Sequence, residues 1–202
     1  PPAAAAANIK DGGLPLEDLT ILDIGSFYAA PFGTSLLADF GANVIKIEPP
    51  EGDNIRFQTP FPHLGGVKVM QGKRSVIVNL AKPEGAVLVR RLAAKADLMM
   101  HNFRGGIAAR LGVDEETVRK DNADIIYHEA PGFGAEGPYA RRPAYAPTIG
   151  AGAGLARRNV RRAVPEGPDL TLEEVRDGAL RMSMASLMVA HSDGFSALGV
   201  AA

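Results

Sequence analysis

Short apolar runs alternate along this chain with amphipathic stretches. Five runs are β-branched or apolar and bounded by turn residues, which predicts strands. They are Thr20–Ile24, Asn43–Glu48, Ser75–Leu80, Asp97–Phe103 and Asp124–Glu129. Between them the pattern predicts helices at Pro31–Phe40, Pro83–Ala96 and Asp114–Asp121. Pro83 followed by Glu84 is a good helix start, because proline tolerates the first turn and an acid favours the positive end of the helix dipole. Strands alternating with helices imply a parallel sheet with right-handed crossovers. In such a sheet, ligands sit at the carboxyl ends of the strands.

After Gly132 the texture changes. Gly132–Gly154 is rich in Gly, Pro and Ala and reads as a long loop. Arg157–Arg162 (RRNVRR) is a basic cluster, and Thr171–Asp177 (TLEEVRD) opens with a threonine–glutamate capping signature. Gly178–Ala202 is mostly apolar and helix-like. Arg181, His191, Ser192 and Asp193 interrupt it, leaving no apolar run of roughly 18 residues that would suggest a membrane span. These shifts divide the chain into a linker-like segment at 1–14, an α/β domain at 15–145, a connecting segment at 146–177 and an apolar helix at 178–202. The proline–alanine start and the uncapped end suggest a piece of a longer chain.

Composition narrows the function classes. The net charge of −1 gives no global case for nucleic acid or an anionic membrane. Zero cysteines exclude disulfides, thiolate metal sites and cysteine nucleophiles, and fit a cytoplasmic protein. His63, His101, His128 and His191 form no metal-ligand spacing, so no metal is expected.

Candidate chemistry gathers at the predicted strand ends. The turn Asp23–Pro31 lacks dinucleotide glycine spacing, which disfavours an NAD-binding oxidoreductase. Its small residues either let a ligand approach the backbone or pack a strand closely against a helix. Glu48 is either a ribose-holding acid or a solvent-facing charge before Pro49–Pro50. Lys73 and Arg74 precede a predicted strand, where such cations either meet a phosphate or, more commonly, are just solvated. Asn102–Gly106 (NFRGG) sets an amide, an aromatic and an arginine at a strand end. That set suits an adenine or pyrophosphate, by stacking on Phe103 and charge-assisted bonds from Arg104.

Taken in order, PLEDLTILDIG (Pro15–Gly25), AAPFGTSLLADFGANVIKIEPPEGD (Ala29–Asp53), GKRSVIVNLAKPEG (Gly72–Gly85), KADLMMHNFRGG (Lys95–Gly106), RLGV (Arg110–Val113) and GFGAEGPYARRPAY (Gly132–Tyr145) resemble the class III CoA-transferases. The resemblance implies the Rossmann-like large domain of such an enzyme, a parallel α/β sheet with flanking helices, with the second domain missing. It implies coenzyme A as carrier, and acyl-CoA and a carboxylic acid as substrates. Partnership would be an interlocked homodimer, a heteromer or a tandem partner domain. Carried over by position, the CoA contacts are Tyr28 and Ala29, Val78 and Asn79 at the end of the third strand, Asn102, Phe103, Arg104 and Arg110. An arginine that some members carry after the acid of the second strand is here Pro49, so that contact is lost.

The family mechanism uses an aspartate nucleophile, which passes through a mixed anhydride to an enzyme-bound CoA thioester. Anchored on Ala197–Leu198–Gly199, the family position of this aspartate holds Val189. Asp193 lies four residues later, one helical turn on and on the same face if the segment is helical. It either serves in a shifted register or merely turns the chain before Gly194. The sequence thus supports an acyl-CoA transferase using Asp193, or a degenerate CoA-binding subunit that scaffolds an active partner.

Overall fold

A computed structural model of the chain describes residues 13–57, 62–145, 148–149, 152–153, 171 and 173. Its elements run β1 (Thr20–Asp23), α1 (Ala29–Asp39), β2 (Asn43–Glu48), a 3-10 turn (Asn54–Phe57), α2 (Pro62–Met70) and β3 (Lys73–Ile77). There follow α3 (Pro83–Ala93), β4 (Leu98–His101), α4 (Ile107–Leu111), α5 (Glu115–Arg119) and β5 (Ile126–Glu129). All four strand pairings are parallel, in the order β3-β2-β1-β4-β5. This is the order of a doubly wound α/β sheet, with the direction of winding reversing between β1 and β4.

Both faces of the sheet are covered. Leu22, Ile47 and Met99 pack with Ala86, Val89 and Ala93 of α3, Ala108 of α4 and Val118 of α5. On the other face, Ile21, Val44, Leu98 and Met100 meet Ala30 and Leu37 of α1. The alternation of β side chains across the pleat divides β2 between these layers. Ile45 and Ile47 enter the first, while Val44, Lys46 and Glu48 share the second.

The predicted third strand is displaced. The expectation was Ser75–Leu80, but the ladder runs from Lys73 to Ile77 and closes with Val78 N–H donating to Glu48 O at 2.8 Å. Pro49–Pro50 ends β2, so β3 has no partner further on. Val78 and Asn79 therefore lie just beyond the strand rather than at its end. The fourth and fifth predicted strands are trimmed to Leu98–His101 and Ile126–Glu129. Asp114, expected inside a helix, is the N-cap of α5, accepting Thr117 N–H at 3.2 Å. α2 and α4 are additional to the predicted helices. α4 is bracketed by Gly106 and Gly112, both with positive φ, which a side chain would resist. The predicted basic cluster Arg157–Arg162 and the apolar helix 178–202 lie outside the described residues, as does all but Thr171 and Glu173 of the helix predicted at Thr171–Asp177.

Candidate functional site

The carboxyl ends of the five strands form one edge of the sheet, and the turn between β1 and α1 lies at its centre. Nearly every polar backbone group of Gly25–Phe27 is held by a side chain from elsewhere. Gly25 N–H donates to Asp23 Oδ1 at 2.9 Å, and Gly25 O accepts from the Lys46 ammonium. Ser26 N–H donates to Asn102 Oδ1 at 2.9 Å, and Asn102 Nδ2 donates back to Ser26 O at 2.8 Å. Phe27 N–H donates to both oxygens of Asp53, at 2.9 and 3.1 Å. Phe27 has φ 69°, a left-handed conformation that costs a non-glycine residue about 1–2 kcal/mol. The Asp53 clamp offsets that strain. A Cβ on Gly25 would stand 2.6 Å from the Ala30 Cβ, so close strand–helix packing explains this glycine.

Beneath the turn lies an ion network that the sequence reading did not anticipate. Lys46 is buried, 3.2 Å from Asp53 and 3.8 Å from Asp23. Lys73, expected to be solvated, is buried too, and its ammonium donates to Asp23 Oδ2 at 2.8 Å, Thr34 Oγ1 at 2.7 Å and Pro31 O. Burial pushes the Asp23 carboxyl up, but Lys46 and Lys73 outweigh it and hold it below the usual carboxylate range. Glu48 is neither solvent-facing nor free for a ribose. It accepts two bonds from Arg56, at 2.8 and 2.7 Å, one from Asp53 N–H at 3.0 Å and one from the Ser75 hydroxyl. The Arg56 bonds do most to hold its pKa at about 2, against opposing burial. Three acids thus face three bases under α1.

The residues expected to contact CoA differ in how free the structure leaves them. Asn102 spends its amide on Ser26 and so ties β4 to the β1–α1 turn across the point where the winding reverses. Phe103 is half-buried and stacks on the buried His101 ring, centroids 4.9 Å apart. Arg104 and Arg110 are exposed and make no ion pair among the described residues. Tyr28 and Ala29 are half-buried at the start of α1, with Tyr28 stacked on Phe32. Val78 is buried in the core, while Asn79 is half-buried and accepts Ala81 N–H at 3.0 Å. Asp193 and Val189 lie outside the described residues. Among the described residues no group of three or more His, Asp or Glu side chains is placed to hold a metal, and no helix is long and apolar enough to cross a membrane.

Phe103 and the exposed Arg104 follow the carboxyl end of β4, and the sequence profile of CoA-transferase family III matches residues 16–186. The chain belongs to that family. It is similar to the acetyl-CoA:oxalate CoA-transferase of Acetobacter aceti, 36% identical over 160 residues, covering 76% of this chain and 40% of that protein. It is also similar to the succinyl-CoA–L-malate CoA-transferase beta subunit of Chloroflexus aurantiacus, 37% identical over 71% of this chain and 36% of that one. Among solved structures, a CAIB/BAIF family protein from Brucella suis shares its fold with TM-score 0.68 and 28% identity, covering 86% of this chain and 51% of that one. Rv3272 from Mycobacterium tuberculosis does so with TM-score 0.70 and 27% identity, over 93% and 57%. This family III chain therefore spans well under half the length of the curated relatives named here, and a little over half of the solved ones.

Proposed function

We propose that this chain supplies the CoA-binding domain of an enzyme that moves CoA between an acyl-CoA thioester and a carboxylic acid. The family match over residues 16–186 carries the reading. In it, Phe103 stacks the adenine, Arg104 and Arg110 meet the phosphates, and Tyr28, Ala29, Val78 and Asn79 border the carrier. Asn102 contributes by fixing the turn on which the carrier rests. The domain division at 15–145, 146–177 and 178–202 belongs to the same proposal, as does a partner chain or domain that completes the site.

In the reaction, a carboxylate oxygen of Asp193 attacks the thioester carbon; the C–S bond breaks and CoA leaves as thiolate. The thiolate then attacks the aspartyl carbonyl of the anhydride, releasing the donor acid and leaving CoA on the enzyme as a thioester. The acceptor carboxylate takes the acyl position by the reverse sequence, which restores the aspartate. The test is intact-protein mass spectrometry of the full-length protein incubated with succinyl-CoA or acetyl-CoA. The expected result is a gain of one CoA less one water, absent in Asp193→Ala. Val189 at the family aspartate position favours a second reading, in which this chain binds CoA and a partner chain holds the nucleophile. Relatives described as alpha and beta subunits are consistent with such a pairing. CoA binding without an adduct on this chain would select it.

A further inference from the structure

We propose that His101 is a positioning residue: its imidazole sets the attitude of Phe103, so that the outer face of that ring is presented to the adenine of CoA. The inference rests on the CoA reading above and adds to it a residue that never touches the carrier.

His101 closes β4 and is 2% exposed. Its Nδ1 accepts the backbone N–H of Phe103 at 3.2 Å. Its ring lies under the Phe103 ring, with centroids 4.9 Å apart and planes inclined by 22°. On the far side, Nε2 lies 2.9 Å from the Tyr127 hydroxyl, and that hydroxyl donates to Val113 O at 2.7 Å. A hydroxyl whose proton goes to a carbonyl must accept from its other neighbour. Nε2 is therefore the protonated nitrogen and Nδ1 the acceptor, which is the tautomer that Phe103 N–H requires. Glu129 Oε1, 3.2 Å from Nε2, favours the same tautomer.

The result is a single line of hydrogen bonds. It runs from the Phe103 amide through the imidazole and the phenol to the carbonyl at the α4–α5 junction, three residues after Arg110. Both cationic groups proposed for the phosphates are tied to it, Arg104 through its neighbour Phe103 and Arg110 through Val113. A histidine that only filled core volume would bear the cost of desolvating two ring nitrogens for no gain over an apolar residue. Here each nitrogen has a partner on a different element, and the partner of Nδ1 is the backbone of the aromatic platform itself.

The test uses the full-length protein and titrates CoA and adenosine 3′,5′-bisphosphate by calorimetry, with kcat and KM measured alongside. Phe103→Leu removes the platform and is expected to weaken both ligands about tenfold, the size of one base–aromatic stack. His101→Gln keeps a group near Tyr127 but loses the Nδ1 acceptor. It should weaken both ligands about five- to tenfold and raise KM, with kcat unchanged. His101→Asn can accept the N–H two residues on, as in an Asx turn, and should recover binding to within about twofold of the unmodified protein. Melting curves confirm which variants fold. If His101→Gln does not fold, His101→Asn decides alone, and binding as weak as in Phe103→Leu overturns the inference. Unchanged binding in His101→Gln beside weak binding in Phe103→Leu also overturns it, while leaving the CoA reading intact. Unchanged binding in Phe103→Leu removes the platform, and with it both the inference and this part of the CoA reading.

Discussion

Lys46→Met is the sharpest test of the buried network. The substitution keeps the length of the side chain and removes its charge. It leaves Asp53 without the cation 3.2 Å away, takes one of two cations from Asp23 and orphans the carbonyl of Gly25. Removing one partner from a buried ion pair costs about 3–5 kcal/mol, because the remaining charge is left desolvated. With a urea slope of about 2 kcal/mol/M, the unfolding midpoint should fall by about 2 M. Lys120→Met is the control. Lys120 pairs with Glu116 at 3.1 Å, but both side chains are largely exposed, and such pairs are worth about 0.3–0.5 kcal/mol. Combining Lys46→Met with Asp53→Asn should cost less than the two changes separately, since the second removes the charge that the first strands. If Lys46→Met costs no more than Lys120→Met, the network is not desolvated and the account of the turn fails.

Three further outcomes follow from the same geometry. Glu48, held at about 2 against an ordinary 4.5, contributes about 3 kcal/mol of stability that is fully present above pH 4.5 and lost as pH falls toward 2; an acid titration of Glu48→Gln should lack that component. His101 behaves oppositely in origin but alike in direction. Burial, with help from His128, pushes its imidazole to about 4 from 6.5, so the unfolded chain takes up the proton first and stability drops by about 3 kcal/mol as pH falls from 6.5 to 4. Glu129 and Tyr127 also face this ring, and His101→Phe should flatten that window in a pH series of melting temperatures. Gly85→Ala would set a Cβ 2.1 Å from Asn79 O, forcing the start of α3 away from the β3–α3 turn. Overpacking of this kind costs about 1–3 kcal/mol, read as a lower melting temperature; an unchanged value would mean that the turn yields freely.

Most of the sheet was legible because its strands are apolar enough to mark themselves, whereas β3 begins with Lys73 and Arg74 and was expected two residues late. The network beneath the turn was not. Lys46 and Glu48 alternate with Ile45 and Ile47, a pattern that ordinarily marks a strand with one wet face. In β2 both faces are covered, and the charges are neutralised by Asp23, Asp53 and Arg56, contributed from outside the strand. Lys73 looked like a cation ahead of a strand, since nothing local announces its partner Asp23, fifty residues earlier. Asn102 was legible as a polar residue at a strand end, but its partner, the backbone of Ser26, comes from another strand's turn. α2 contains Gly65–Gly66, and glycine is a poor helix former, so nothing in its sequence announces a helix. The ordered motifs of the family were the strongest signal, and the family match over residues 16–186 agrees with them.

The contrast between the balanced charges of the buried network and the exposed Arg104 and Arg110, which make no ion pair among the described residues, has a consequence for ionic strength. At 0.15 M salt the Debye length is about 8 Å, and screening acts on charges that water reaches. Lys46, Lys73, Asp23, Asp53 and Glu48 are out of its reach, whereas Arg104 and Arg110 are not. If Arg104 and Arg110 meet the CoA phosphates as proposed, added salt will loosen the carrier while the buried network keeps its shape, so the grip of this domain can be titrated separately from its architecture.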